Sequence, residues 1–486
     1  MSTADRPSVE TIISPSSLQN SYASLPEPMY ARVAPVPVAA PTLLAWNAPL
    51  AEELGLAHLA TSDDALAELF SGNRLPEGAE PIALAYAGHQ FGYFNRQLGD
   101  GRAVLLGDVV DSDGHRRDVQ LKGSGRTPFS RGGDGRSSLG PVIREYLLSE
   151  AMYALGVPTT RALAAVQTGE QVLRELPLPG GVFTRVASSH VRIGTFEYFA
   201  SRGERDNLKA LADFAITRHA PDLADTYRPY LEFFKHVVDA QVSLVAHWMD
   251  LGFIHGVMNT DNTSVSGETI DYGPCAFMDE FNASKVFSSI DHQGRYAFDQ
   301  QPHIILWNLM RLAECLSLLD DGREAFEDVI DDVLPRFESL YFARLAKKLG
   351  FTSDSEVARS LAAAWLAHLQ EHALDYTLSF RRLADRLDAD GDAEFGAFES
   401  GWRAAIDAQG RDTATVRTAM NAVNPLFIPR NHQVERAIQG AIDSDLSVFN
   451  ELRSVLARPF DEQADFADYA KPPVPEERVT RTFCGT

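Results

Sequence analysis

A two-lobed α+β fold, mixed β/α at first and mostly helical afterwards, is what the sequence predicts, and three observations carry the prediction. Strand-like runs alternate with glycine clusters between Gly88 and Ala187. Over residues 205–250 and 300–380 apolar residues recur at helical spacing, as in Ile304, Leu306, Leu309, Leu312, Cys315, Leu316 and Leu319. Between those helical stretches stands His255-Gly256-Val257-Met258-Asn259-Thr260-Asp261-Asn262, followed by Asp271-Tyr272-Gly273. An H-x-D-x-x-x-x-N loop followed by D-F-G is the protein-kinase pattern. The expected architecture is therefore protein-kinase-like and bilobal.

Taken in order, residues 1–30 are Ser/Pro-rich and predict an extended N-terminal arm. Residues 31–200 predict a nucleotide-binding N-lobe, 201–445 a helical C-lobe with catalytic loop and metal site, and 446–486 a tail carrying Cys484. Pro35, Pro37 and Pro41 exclude a helix interior. Residues 47–71 predict one or two short helices, with Gly55 as a stop.

Gly99-Asp100-Gly101-Arg102 leads into the strand-like Ala103-Val104-Leu105-Leu106. The two glycines would let backbone N–H groups approach phosphate, and Arg102 adds charge; a plain hairpin turn is the competing account. No Gly-Lys-Ser/Thr occurs, which excludes a Walker A loop. Asp118 to Lys122 alternates as a strand ending in lysine, either a solvated strand end or the phosphate-binding lysine of a kinase-like sheet. Pro141 opens and Gly156 closes a helix. Glu145 in its second turn is placed to pair with Lys122, and Glu150 is the rival. Ser130 to Arg136, with Asp134 and Gly135, is a surface loop or a flap over a nucleotide.

Ala164 to Arg174 reads as a hairpin turning at Gly169-Glu170, and Val182 to Ala187 as a further strand. Arg185 lies in an apolar strand, where arginine is rarely buried without a partner. Arg185 and the nearby Arg192 therefore predict an anion close by, or ion pairs with acidic neighbours. Tyr230 to Leu251 predicts a helix, Thr269-Ile270-Asp271 a short strand, and 433–443 a helix.

In kinases the loop Asn and the D-F-G Asp hold Mg²⁺, and the loop Asp takes the hydroxyl proton. Here Asn262 and Asp271 are present, but Val257 fills the position of the loop Asp and can accept no proton. The nearest carboxylate is Asp261. That combination predicts a nucleotide site doing chemistry other than γ-phosphoryl transfer, or none.

The 486 residues carry a formal charge of −23, which opposes a nucleic-acid partner on bulk electrostatics. No uncharged apolar run approaches the ~18 residues of a membrane span. The first ten residues have no apolar h-region, so no secretory signal and a cytoplasmic location are expected. Three cysteines, Cys275, Cys315 and Cys484, make neither a disulfide framework nor a C-x-x-C pair.

From about Ser21 onwards the chain resembles the selenoprotein O family of pseudokinase-fold protein adenylyltransferases. The resemblance is carried by Gln97-Leu98-Gly99-Asp100-Gly101-Arg102, by Gln120-Leu121-Lys122-Gly123 through Thr127-Pro128-Phe129-Ser130-Arg131, by Ile143-Arg144-Glu145-Tyr146 and by His255 to Asn262. It implies that ATP binds flipped relative to a kinase and that AMP moves to a protein hydroxyl. By position it makes Gly99, Gly101, Arg102, Lys122, Asp134, Gly135, Arg185 and Arg192 the ATP contacts and Glu145 the partner of Lys122. It makes Asp261 the proton acceptor, and Asn262 and Asp271 the ligands of Mg²⁺ or Mn²⁺. The implied partners are ATP and client proteins modified on hydroxyls, redox-related ones and the chain itself among them. Two departures stand out: Ser137-Ser138-Leu139-Gly140-Pro141 replaces the family's apolar and arginine residues after the flap, and no inner cysteine occurs at 286–289. Cys484 matches the family's C-terminal Cys, which leaves Cys275 as its one redox partner near the metal site. A kinase and an inactive nucleotide-binding scaffold are the competing functions.

Overall fold

The computed structural model describes residues 17–388 and 395–483. Its strands are β1 (Tyr30–Arg32), β2 (Thr42–Trp46), β3 (Ile82–Leu84), β4 (Gly88–Gln90), β5 (Tyr93–Asn95), β6 (Ala103–Val110), β7 (Arg116–Lys122), β8 (Ser137–Ser138), β9 (Arg161–Leu173), β10 (Pro177–Ala187), β11 (Phe253–Ile254) and β12 (Ala276–Phe277). Eight of them form one antiparallel sheet, ordered β1-β3-β6-β7-β10-β9-β2 with β8 alongside β10. The hairpin β4–β5 and the ladder β11–β12 stand apart from it.

Helices interrupt and then follow the sheet. The first three are α1 (Ala48–Glu53), α2 (Asp63–Ser71) and α3 (Leu139–Ala154). After the sheet come α4 (Ile193–Ala200), α5 (Arg205–His219), α6 (Pro229–Asp250), α7 (Gln301–Leu316), α8 (Glu324–Asp331), α9 (Val333–Lys348), α10 (Glu356–His372) and α11 (Tyr376–Leu383). The last four are α12 (Gly396–Asp407), α13 (Thr413–Asn421), α14 (Asn431–Ile442) and α15 (Ser447–Leu456).

Successive strand residues face opposite sides of a sheet, and here both sides are covered. Val182 and Val186 pack with Leu66 and Phe70 of α2, whereas Phe183 between them joins the cluster of α3, α14 and α15. The third and largest cluster is helical: Phe233, Phe234, Val238, Val242 and Val245 of α6 anchor it. The sheet-rich N-terminal part and the helix-rich remainder meet along α4 and the loop 255–273. The described part of the N-terminal arm is docked, with Leu18, Tyr22 and Met29 buried. Within residues 446–486, α15 packs on α3 as part of the sheet's cover.

Two local expectations are corrected. Residues 164–174 are not a hairpin: β9 runs through Gly169, and the chain reverses only after Leu173, at residues 174–176. Gly169 takes φ 72° where the pairing with β10 shifts register, so its glycine serves a bulge and not a turn. Thr269 makes a single parallel bridge to Thr159, and no strand follows, because Asp271 turns out of the extended region at φ 65°.

Candidate active site

The end of β7, the end of β10 and the start of α4 point side chains at one residue of the loop after β11, and α3 supplies a second partner for the first of them. Lys122 Nζ donates to Asp271 Oδ1 at 2.7 Å and to Glu145 Oε1 at 2.5 Å. Arg185 Nη1 donates to the same Oδ1 at 2.7 Å. Arg192 Nη1 donates to Asp271 Oδ2 at 2.9 Å and to the main-chain oxygen of Asp261 at 2.6 Å. Burial alone would raise the Asp271 pKa, but Lys122, Arg185 and Arg192 outweigh it and hold the carboxyl well below its usual range. Glu145, not Glu150, is the partner of Lys122; Glu150 is taken by Arg161 at 2.8 Å and by Asn47 at 2.9 Å.

Arg185 is in turn fixed by Gln120, whose Oε1 accepts from its Nε and Nη2 at 3.0 and 2.7 Å. Gln120 Nε2 donates to the buried Asp100 at 3.1 Å, so the Gly99–Arg102 turn and the arginine share one network. Burial pushes the Asp100 carboxyl up.

The catalytic loop closes the other side. Val257 is 5 % exposed and offers no acceptor. Asp261 is buried, and burial raises its carboxyl to about 6. Its Oδ2 accepts from Gln90 Nε2 at 2.9 Å, while its Oδ1 is buried and has no hydrogen-bond partner. Asn262 gives Nδ2 to the oxygen of Val257 at 2.9 Å, so Oδ1 is the atom it can offer a cation. His255 is buried in neutral form: its Nε2 meets the oxygen of Ile270 at 2.8 Å, and burial lowers its pKa.

Beside these groups is a cleft of about 840 Å³, within the range of small-ligand sites. Gly99, Gly101, Arg102, Lys122, Asp134, Gly135, Glu145, Arg185, Arg192, Asp261, Asn262 and Asp271 all border it. The flap folds over by backbone pairing, with Gly125 N donating to Gly135 O at 3.0 Å. Gly135 is required there: at φ 67° a Cβ would stand 2.1 Å from the oxygen of Gly125. Arg174 from the β9–β10 turn holds Asp134 at 2.9 Å and the oxygen of Arg136 at 2.9 Å.

Cys275 does not border the cleft. It is wholly buried, its thiol is pushed up to about 12 by burial, and that disfavours the reactive thiolate. Cys484 lies outside the described residues. Arg174, Gln120, Asp100 and Gln90 border the cleft or brace its residues, and none of them was expected at the site. Asp100 and Gln120 carried a local signal, inside Gly99–Arg102 and Gln120–Gly123; Arg174 and Gln90 reach the site through contacts made by folding.

A divalent cation fits this donor set. Asn262 has an amide oxygen to give, and Asp271 is a carboxylate held ionised. Among the described residues no group of three or more His, Cys, Asp or Glu gathers as a cage. One or two carboxylates completed by substrate phosphates is the way Mg²⁺ is usually held.

A cleft that gathers three cations on one carboxylate beside a buried acceptor defines a class of nucleotide-handling protein, and comparison narrows it. The profile of the family described as protein adenylyltransferase SelO matches residues 15–457. The chain is 56 % identical over 485 residues to a "Protein nucleotidyltransferase YdiU" of Rhodopseudomonas palustris strain BisB5, covering 96 % of this chain and 98 % of that one. It is 54 % identical over 484 residues to the protein of the same name from Bradyrhizobium diazoefficiens, covering 96 % and 99 %. The chain belongs to the protein adenylyltransferase SelO family.

Proposed function

We propose that this chain is a protein-kinase-like, two-lobed protein adenylyltransferase, with its lobes meeting near residue 200. It moves AMP from ATP to Ser, Thr or Tyr hydroxyls of client proteins, and of itself, with release of pyrophosphate. The observation that carries the reading is the replacement of one acceptor by another. Val257 stands buried where a kinase has its proton-accepting Asp, and Asp261 presents a buried, unpartnered oxygen in the same cleft.

The chemistry follows from that geometry. The client hydroxyl oxygen attacks the α-phosphorus, and its proton passes to Asp261 Oδ1. The bond from the α-phosphorus to the bridging oxygen breaks, and pyrophosphate leaves with the electron pair. Lys122, Arg185 and Arg192 are placed deep in the cleft, where they stabilise charge gathering on the β- and γ-phosphates. This reading takes ATP to lie reversed relative to a kinase, as the family resemblance implies, with the leaving group inside and the α-phosphate toward the acceptor. An acceptor whose pKa is about 6 suits proton transfer near neutrality. Mg²⁺ or Mn²⁺ held by Asn262 and Asp271 would supply charge neutralisation and phosphate orientation. The flap, latched by Arg174, excludes water from the same phosphates.

ATP labelled at the α- or the γ-phosphate tests the reading. The expected result is α-label on protein, a mass gain of one AMP, and pyrophosphate in solution. Transfer of γ-label alone would make the chain a kinase with an unusual base. Bound nucleotide without any transfer would make it a scaffold.

A further inference from the structure

The hairpin β4–β5 lies against the catalytic loop, which is distant from it in sequence, and reaches the acceptor carboxylate directly. Gln90 Nε2 donates to Asp261 Oδ2 at 2.9 Å, and among the described residues it is the one side chain hydrogen-bonded to that carboxylate. The amide of Gln90 is itself oriented. Asn95, across the hairpin, donates Nδ2 to Gln90 Oε1 at 3.2 Å, so the oxygen of Gln90 is occupied and its nitrogen is turned to Asp261. The opposite carboxylate oxygen, Oδ1, is left buried and unpartnered. Glycine at position 88 lets the hairpin backbone pack close beside that oxygen, since a Cβ there would stand 2.9 Å from it.

The hairpin is pinned to the loop at two further points and to residues that brace the loop. His89 N donates to Thr260 Oγ1 at 2.7 Å, and Thr260 and His89 both hold Glu197 of α4. Phe91 N donates to Asn259 Oδ1 at 3.2 Å and to Tyr296 OH at 3.1 Å. These contacts fix the backbone of residues 89–91, and with it the reach of Gln90, relative to Asp261. Side chains that orient a reacting group from behind are as much part of a site as the group itself.

We propose that Gln90, oriented by Asn95, is a positioning residue for adenylyl transfer: it holds Oδ2 of Asp261 so that Oδ1 is the oxygen that receives the client proton. The inference rests on the adenylyltransferase reading and extends it to a pair of residues outside the kinase-like motifs. Gln90 acts through Asp261, to whose Oδ2 its amide is bonded. Without it the carboxylate can turn, and both oxygens lose their assignment.

The test is a kinetic split followed by a cycle. Label transfer from α-labelled ATP is measured at saturating ATP for the unmutated chain, Gln90→Leu, Asn95→Leu, Asp261→Asn and the double variant Gln90→Leu/Asp261→Asn, with ATP affinity by calorimetry. Gln90→Leu is expected to lower the saturated rate about 10- to 100-fold with ATP affinity within about twofold. In the Asp261→Asn background, Gln90→Leu is expected to have no further effect, because the group it positions has gone. A general structural role would instead lower both rates by the same factor. An unchanged saturated rate in Gln90→Leu, or losses that multiply in the double variant, overturns the proposal. Should Gln90→Leu fail to fold, Asn95→Leu leaves Gln90 in place but frees its amide; an unchanged rate there overturns the proposal equally. If the unmutated chain moves no α-label at all, it is the adenylyltransferase reading that fails, and the variants are not needed to show it.

Discussion

Asp271 accepts from Lys122 and Arg185 at one oxygen and from Arg192 at the other, so three cations share this one counter-ion. Asp271→Asn keeps the shape and removes the charge. It is expected to abolish transfer and to weaken metal-dependent ATP binding, because a hard cation loses its carboxylate; calorimetry with and without Mg²⁺ reads this, and full activity would sink the assignment. Asp261→Asn is expected to behave differently, sparing ATP affinity while cutting turnover about 10²- to 10⁴-fold, the usual contribution of a general base. Lost affinity with intact turnover would reverse the two roles. Both positions can be read from the sequence, because the loop 255–262 and Asp271-Tyr272-Gly273 form one short stretch whose residue types are dictated by the chemistry. Gln90 cannot be read that way. Its partner Asp261 is distant in sequence, and glutamine in a glycine-flanked hairpin carries no chemical signature until the fold brings the two together.

At the scale of elements, the flap between β7 and α3 is built from its own backbone and latched from outside. Arg126 holds the oxygens of Gly132 and Gly133, and Arg174 reaches across from the β9–β10 turn to Asp134. Arg174 and Asp134 are partly exposed, so their pairing contributes modestly to stability. Arg174→Ala is expected to leave folding intact and raise the ATP concentration for half-saturation severalfold, with a smaller effect on the saturated rate. Steady-state kinetics against ATP check this; an unchanged half-saturation point would mean the latch does not act on the nucleotide. The elements themselves were largely readable. Pro141, expected to open α3, lies in its first turn and Gly156 just beyond its end, the observed span being Leu139–Ala154, and the helical spacing of 230–251 returns as α6. The failures have one cause: Gly169 and Asp271 take left-handed backbone conformations for reasons set by distant partners. A glycine in a bulge and a glycine in a turn look alike in sequence.

At the scale of the whole molecule, several ionisable groups are buried, and one of these gives a pH dependence whose sign is fixed. His190, in the link from β10 to α4, is fully buried between Asp118, Arg185 and Arg192. Burial lowers its pKa from 6.5 to about 4; the hydrogen bond to Asp118 opposes this, and the charges of Arg185 and Arg192 reinforce it. Between about 4 and 6.5 the unfolded chain therefore binds a proton at this site that the folded chain does not. Stability from this site rises with pH across that window and is lost as pH falls from 6.5 toward 4. The full effect is at most about 3 kcal/mol, from the size of the shift. Buried carboxylates with raised pKa values, Asp261, Asp100, Asp250, Glu268 and Asp279, act with the opposite sign, so the dependence of the whole chain is a balance. The contribution of His190 is isolated by difference. His190→Gln retains hydrogen-bonding capacity without titrating, and urea unfolding of both proteins from pH 7 to pH 4.5 compares them. The unmutated chain is expected to lose more stability than His190→Gln over that range. Parallel losses in the two proteins would show that His190 is protonated in the folded state as readily as in the unfolded one.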